Sequence, residues 1–147
     1  MILRPATPQD APTIATVLRA AFRVSLPFLP ELHTAEEDQA FAVKLVAEDA
    51  VWVAEMDGGV AGYIAFREGW IDHLFIHPDH QGQGVGPALL AKALEDRQPR
   101  QLWTFQENAR ARRFYETRGF RAVEFTDGAD NEERQPDVRY VWKPTFD

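Results

Sequence analysis

The chain has 147 residues, of which 45% are hydrophobic and none is cysteine, and its formal net charge is −7. A chain of this length builds one ordinary core, so we expect a single domain over residues 1–147. The negative charge argues against a nucleic-acid partner, because a positive field dominates such binding. The lack of cysteine excludes disulfides, thiolate metal sites and a cysteine nucleophile.

No segment of the sequence has the apolar length of a membrane span, and the N-terminal ten residues lack the apolar core of a signal peptide. We therefore expect a cytoplasmic protein without a membrane partner.

The first half of the chain predicts a strand at residues 2–5 and a helix from residue 7 to about residue 22. The proline-containing residues 25–33 favour an ordered loop. A second helix begins at Thr34, because Thr34 and Glu37 have the spacing of a capping box. Two apolar runs flank Asp57-Gly58-Gly59, which is a strong hairpin signal.

The second half predicts a strand, a helix, a strand, a helix and two strands. Their expected positions are residues 70–77, 87–97, 101–106, 108–119, 120–125 and 139–142. An acidic segment at residues 126–138 separates the last two strands.

The junction of the strand at 70–77 and the next helix is the most informative segment, and it reads Gln81-Gly82-Gln83-Gly84-Val85-Gly86-Pro87. Glycines let a ligand approach the backbone, and the start of a helix presents unpaired N–H groups and the positive end of its dipole, so the segment predicts an anion site. A P-loop would need a lysine that is missing here. A dinucleotide fingerprint would need glycine where Pro87 stands.

Two motifs resemble the GNAT family of N-acetyltransferases. Residues 81–86 fit the family's pyrophosphate loop, Gln/Arg-x-x-Gly-x-Gly/Ala. Residues 108–120, Asn-Ala-Arg-Ala-Arg-Arg-Phe-Tyr-Glu-Thr-Arg-Gly-Phe, are similar to its second signature and follow in the family's order. The resemblance implies an α/β fold whose mixed central sheet is splayed between its fourth and fifth strands and flanked by helices.

The resemblance also implies a function. It implies transfer of the acetyl group of acetyl-CoA, the acyl-donor cosubstrate, to a primary amine of a small molecule or peptide by direct attack in a ternary complex. The alternative is a catalytically silent acyl-CoA-binding sensor or interaction module. The resemblance makes a homodimer possible, because members of the family commonly dimerise, but the sequence does not decide the oligomeric state.

The cofactor-binding residues implied by the resemblance lie on the fourth strand, the glycine loop and the second motif. They are Leu74, Phe75, Ile76, Gln81, Gly82, Gln83, Gly84, Val85, Gly86, Pro87 and Asn108. Asn108 also fits the N-cap of the following helix.

The catalytic candidates are Tyr115 and Asp72. The resemblance places the Tyr115 hydroxyl beside the thioester sulfur as general acid. Asp72 is the candidate base, because it precedes Leu74 by two residues and so shares its face of the strand. His73, on the opposite face, is the second candidate for the base.

The acceptor side is assigned more loosely, to Phe28, Glu132 and Glu133. No metal site is expected, because His73 and His77 are four apart on a strand, about 13 Å along it, and no neighbouring ligands complete a set.

Overall fold

The computed structural model describes residues 1–27 and 33–145 and divides the chain into two compact units. The first unit contains Met1–Arg67 and Ile71–Ala93, and the second contains Glu68–Trp70 and Leu94–Asp147. The single domain expected for residues 1–147 stays a prediction. Within the described residues, no helix is long and apolar enough to cross a membrane.

The helices and strands follow the predicted order. In the first unit they are β1 (Ile2–Pro5), α1 (Ala11–Ser25), α2 (Ala35–Glu48), β2 (Ala50–Met56), β3 (Gly59–Arg67), most of β4 (Gly69–Ile76) and α3 (Val85–Ala93). In the second unit they are β5 (Arg100–Phe105), α4 (Ala109–Glu116), β6 (Arg121–Phe125) and β7 (Asp137–Trp142). Short 3-10 turns at Pro8–Asp10 and Pro78–His80 precede α1 and follow β4.

A buried carboxylate joins β1 to the start of α1. Asp10 accepts two hydrogen bonds of 2.8 Å from the Arg4 guanidinium and one of 2.7 Å from the Thr7 backbone. The helix then continues to Ser25, three residues beyond the predicted end. Its buried face, which includes Ile14 and Val17, packs in the core of the first unit.

Local sequence signals account for the next two features. The Glu37 backbone donates to the Thr34 hydroxyl at 3.1 Å and the Thr34 backbone donates to the Glu37 carboxylate at 3.0 Å, so the predicted capping box starts α2. Asp57 and Gly58 adopt φ values of 54° and 81°, as a two-residue turn between antiparallel β2 and β3 requires.

The strand order is β1-β2-β3-β4-β5-β7-β6. β1, β2 and β3 pair antiparallel in the first unit, and β7 pairs antiparallel with both β5 and β6 in the second. A parallel register joins Gly69 to Arg100 and Trp70 to Gln101 within the second unit. This mixed sheet, with its parallel pair at the fourth and fifth strands, confirms the predicted fold class.

A close approach of β3 fixes the end of β4. A Cβ atom on Gly62 would lie 2.8 Å from both the Phe75 carbonyl oxygen and Ile76 Cδ1, so this position has room for glycine alone. Next along the chain, the His77 backbone donates to the Ala61 carbonyl at 2.8 Å. These contacts set where the chain leaves the sheet for the glycine loop.

Candidate active site

The glycine loop runs from the 3-10 turn after β4 into α3. Gly82 and Gly84 have φ values of 78° and 82°, and a methyl group on either would have no heavy atom within 4 Å. Their backbone conformation therefore requires glycine, and the surrounding space is open. Three residues the resemblance assigns here, Gly82, Gln83 and Gly84, are exposed.

Helix α3 begins at Val85, two residues earlier than predicted. The Ala88 backbone donates to the Gly84 carbonyl at 3.2 Å, and the Val85 side chain is 1% exposed, so the first turn is anchored in the core. Gly86 and Pro87 thus lie inside the first turn. The N–H groups of Val85 and Gly86 have no acceptor within the helix and Pro87 has no N–H, so this end is suited to an anion.

Side chains around the loop brace it. His77 Nδ1 accepts from the Asp79 backbone at 3.1 Å, and His80 Nδ1 lies 3.2 Å from Gln83 Oε1. His77 Nδ1 and Gln83 Oε1 therefore make contacts within the loop itself. Gln81 is half-buried.

The end of β4 presents two different faces. Phe75 packs on the core side, with ring centroids 5.3 Å from Phe22 and 6.1 Å from Tyr63. Leu74 and Ile76 alternate with Phe75 along the strand and are half-buried. Of these three predicted residues, Phe75 has its side chain committed to packing, so a cofactor contact there would come from its backbone.

Asp72 lies in an exposed position on β4 and is paired with Arg67 of β3. The Arg67 guanidinium donates to both carboxylate oxygens, at 2.8 and 3.2 Å. Burial alone would raise the pKa of Asp72, but hydrogen bonds from Asp49 and Arg67 outweigh it and hold the pKa below its usual value. A fixed carboxylate of this kind can accept a proton, although weakly.

Asp49 is a neighbour of Asp72 that the sequence did not indicate. It follows α2, and burial, reinforced by the hydrogen-bonded Asp72 carboxyl, raises the pKa of Asp49 to about 7. The two residues are 23 positions apart, so no short motif joins them. Arg67 could have been suspected from its place across the β3–β4 hairpin from Asp72.

His73, the second candidate for the base, lies among aromatic rings. Its Nδ1 is 2.9 Å from the Tyr63 hydroxyl, and its ring packs 5.3 Å from Phe41 and 5.4 Å from Phe75. Desolvation lowers the pKa of His73 to about 4, against the opposing effect of Asp72. The imidazole is therefore neutral at pH 7 and a weak base.

The second unit contains Tyr115 on α4. Its ring packs at centroid distances of 5.2 Å from Phe114, 5.2 Å from Phe120 and 6.3 Å from Tyr140, and the residue is 8% exposed. Among residues 1–27 and 33–145, no group hydrogen-bonds to its hydroxyl. Burial raises the pKa of Tyr115 far above the usual phenol value, so the hydroxyl keeps its proton at neutral pH.

Three hydrogen bonds position α4. The Asn108 side chain accepts from the Ala111 backbone at 3.1 Å, which confirms its predicted role as N-cap. On the same helix Arg112 donates to the Tyr140 hydroxyl at 3.1 Å, and that hydroxyl donates to Glu116. The helix ends at Glu116, and Gly119 follows it with φ 90°.

The predicted acceptor residues Phe28, Glu132 and Glu133 stay predictions. Glu132 is exposed and Glu133 half-buried, in a loop held by two hydrogen bonds between Asn131 and Gln135 of 2.7 and 3.1 Å. Phe28 lies outside the described residues. Across the part of the chain that the structure describes, no three histidine or acidic side chains form a group that could hold a metal ion.

The two units offer different chemical groups. The first offers backbone N–H groups for an anion and a fixed carboxylate, and the second offers a buried phenol that stays protonated.

Parts of this chain are similar in sequence to known proteins. An uncharacterized N-acetyltransferase of Archaeoglobus fulgidus is 37% identical over 93 residues, covering 52% of this chain and 63% of its own length. The peptidyl-lysine N-acetyltransferase YiaC of Escherichia coli K12 is 33% identical over 75 residues, covering 50% of this chain and 51% of its own length. The chain therefore spans less than two thirds of either relative.

The fold has close counterparts among solved structures. YncA of Salmonella typhimurium, determined with its cofactor acetyl-CoA, superposes with a TM-score of 0.75, covering 100% of this chain and 95% of YncA at 18% identity. The sequence model of the acetyltransferase (GNAT) domain matches residues 47–122, a range that takes in β4, the glycine loop and the whole second motif. Because this match extends over more than half of the 147 residues, the chain belongs to the GNAT family of acetyltransferases.

Proposed function

We propose that this protein transfers the acetyl group of acetyl-CoA to a primary amine of a small molecule or peptide, by direct attack in a ternary complex. The observation that carries the proposal is the loop at Gly82 and Gly84. Both glycines have positive φ values and open surroundings. The loop leads directly into α3, whose first N–H groups have no partner within the helix. Membership of the GNAT family supports the same reaction.

In this proposal the loop at residues 81–87 binds the pyrophosphate of acetyl-CoA. Its backbone N–H groups donate to phosphate oxygens, and the positive end of the α3 dipole adds to the attraction. The main chain at Leu74, Phe75 and Ile76 binds the pantetheine arm and the acetyl carbonyl. Asn108, whose side-chain oxygen already caps α4, adds a contact through its remaining polar groups.

The chemistry needs a proton acceptor and a proton donor. The amine nitrogen bonds to the thioester carbonyl carbon as the carbon–sulfur bond breaks, and acetyl-CoA supplies the activated acyl group. Asp72 takes the proton that the attacking nitrogen loses. Tyr115 gives its hydroxyl proton to the departing sulfur, and burial keeps that proton available at neutral pH.

The acceptor belongs to the class of cationic primary amines. Glu132 and Glu133 attract such a cation before it loses its proton. The name of the relative YiaC, a peptidyl-lysine N-acetyltransferase, makes lysine side chains of peptides a first class to examine.

Thiol release from acetyl-CoA, measured over lysine peptides, peptide N-termini, polyamines and amino acids, tests the proposal alongside calorimetric binding of acetyl-CoA. Binding with turnover on one amine class supports it and identifies the class. Binding without turnover on any of them would favour the silent acyl-CoA-binding module. Absence of binding would contradict the assignment of the loop.

A further inference from the structure

Asp49 has a buried side-chain oxygen that lacks a hydrogen-bond partner in the described part of the chain, which is unfavourable when the group is a charged carboxylate. Among the described residues, its Oδ2 has no hydrogen-bond partner. The residue is fixed in place, because its backbone N–H donates to the Leu45 carbonyl at 2.9 Å as α2 ends. A charged carboxylate carries only acceptors, so it would leave this oxygen desolvated without compensation. A protonated carboxyl, in contrast, brings a donor.

The acceptor for that donor is Asp72. The pairing of β2 with β3 joins Ala50 to Phe66 and so sets Asp49 opposite Arg67, which binds the Asp72 carboxylate. Interaction with Asp72 also raises the pKa of Asp49.

Two adjacent carboxylates repel each other, so the pair takes up one proton once the pH falls below the pKa of Asp49, about 7. Arg67 decides where the proton lies, since it contacts both oxygens of Asp72 and holds that group charged. The other charged or titratable neighbours are Glu48, beside Asp49, and His73, beside Asp72.

We propose that Asp49 and Asp72 share one proton, and that Asp49 is a positioning residue which stores, through Asp72, the proton removed from the acceptor amine. The second part rests on the proposed acetyl transfer.

The proton balance follows from the charges. The reactive form is the one present above the pKa of Asp49, about 7, in which both groups are carboxylates beside Arg67 and can take up one proton. The N–H bond of the amine breaks, Asp72 takes the proton, and Asp72 passes it to Asp49. The amine has lost one proton and Asp49 has gained it, while Asp72 is again the carboxylate that Arg67 binds. Because burial raises the pKa of Asp49 to about 7, the proton can then leave to solvent at neutral pH.

Profiles of kcat/KM against pH for the wild type, Asp49→Asn and Asp49→Glu test the relay. The wild type should gain about tenfold per pH unit up to pH 7 and then level off. Asn preserves the shape and the hydrogen bond but cannot titrate, so Asp49→Asn should lose the inflection near pH 7 and fall at least about tenfold at its plateau. Asp49→Glu should restore an inflection. An unaltered inflection in Asp49→Asn overturns the relay.

Unfolding measured against pH tests the shared proton without any substrate. The folded pKa of about 7 lies above the ordinary value of 3.8, so the folded state binds the extra proton between these values. This contribution to stability is complete below pH 3.8 and is lost as the pH rises towards 7 and above. Asp49→Asn should lack the decline, and Asp72→Asn should reduce it, because the neighbouring charge is gone.

The two measurements separate the possible failures. A decline in Asp49→Asn as steep as in the wild type overturns the shared proton, whatever the activity. If the decline is absent in Asp49→Asn but no amine is acetylated, the shared proton is supported, and the acetyl transfer and the relay with it are overturned.

Discussion

Tyr115 is a buried phenol whose hydroxyl has no hydrogen-bond partner within the described residues. Replacing it with phenylalanine removes the proposed acid and keeps the ring contacts with Phe114 and Phe120. We expect Tyr115→Phe to lower kcat about a hundredfold or more, as loss of a general acid does, with little change in the Kd of acetyl-CoA. Steady-state kinetics and calorimetry measure the two quantities.

Tyr140→Phe is the matched control. Tyr140 is also a buried tyrosine of the second unit, but its hydroxyl is occupied by Arg112 and Glu116. Loss of these bonds should lower stability by about 1–3 kcal/mol and leave kcat within a few-fold of the wild type. Equal losses of kcat in both variants would show that the loss in Tyr115→Phe reflects a general disturbance of the second unit and not the removal of an acid.

At the scale of elements, the glycine loop permits an internally controlled comparison. Gly84 and Gly58 have nearly equal φ values, 82° and 81°, and open space around both, but Gly58 lies in the β2–β3 hairpin. Alanine at either position should cost about 1–2 kcal/mol of stability, because the left-handed conformation disfavours a Cβ. We expect Gly84→Ala alone to weaken acetyl-CoA binding, by about tenfold, and calorimetry on both variants decides it. Equal affinities would remove Gly84 from the binding site.

The junction of β1 and α1 carries a pH-dependent ion pair. Hydrogen bonds from Arg4, ahead of the opposing effect of burial, lower the pKa of Asp10 to about 2, against an ordinary 3.8. The stabilisation is therefore complete above pH 3.8 and is lost as the pH falls through 2. Asp10→Asn should cost about 1.5–3 kcal/mol at pH 7, with the deficit shrinking in acid.

Denaturant unfolding at several pH values measures the Asp10 effect. Asp57→Asn is the control, since it removes the same charge from an exposed hairpin turn that suits asparagine equally well. A deficit for Asp10→Asn that stays constant down to pH 2 would mean that the Arg4 ion pair does not stabilise the fold.

The sequence predicts best those structural features that depend only on neighbouring residues. The capping box at Thr34 and the turn at Asp57 and Gly58 depend on neighbouring residues alone, and both were confirmed. Helix α3 begins two residues before its predicted start, because burial of Val85 in the core extends the helix towards the N-terminus. The glycine-only contact of Gly62 with Phe75 depends on strand pairing, which no short pattern reveals.

The candidate site shows the same division. The loop and the block around Tyr115 are continuous in sequence and were assigned as motifs. The sequence does not indicate Asp49, because Asp72 is 23 positions away and the two come together only when β2 pairs with β3 and sets Asp49 opposite Arg67. The chemistry of Asp72 was therefore predicted without the two neighbours, Asp49 and Arg67, that set its charge.

At the scale of the whole molecule, the sequence predicts the order of helices and strands along the chain. It does not predict the order in which the strands lie in the sheet. β7 lies between β5 and β6 in the second unit, although it follows β6 in the chain. Pairing of this kind depends on chain topology, which no local pattern in the sequence reveals. The cytoplasmic location, the homodimer and the single domain stay predictions.

A ligand that binds only the folded chain must also stabilise it, and this gives a test on the whole protein. At a concentration of about 100 times its Kd, acetyl-CoA should add about 2.7 kcal/mol. For a chain of this size, that corresponds to a rise in Tm of roughly 5–10 °C. Calorimetry over a concentration series measures the rise, which should grow with the logarithm of ligand concentration. In Gly84→Ala the same concentrations should give a smaller shift.

The charge of the molecule predicts how salt affects this shift. The net charge of −7 repels a polyphosphate ligand at long range, whereas the N–H groups at the start of α3 attract it only at contact. Salt screens the first interaction and barely affects the second, so the rise in Tm should not shrink when ionic strength increases to about 0.15 M. A shift that collapses over this range would mean that exposed cations, and not the backbone of the glycine loop, hold the phosphates.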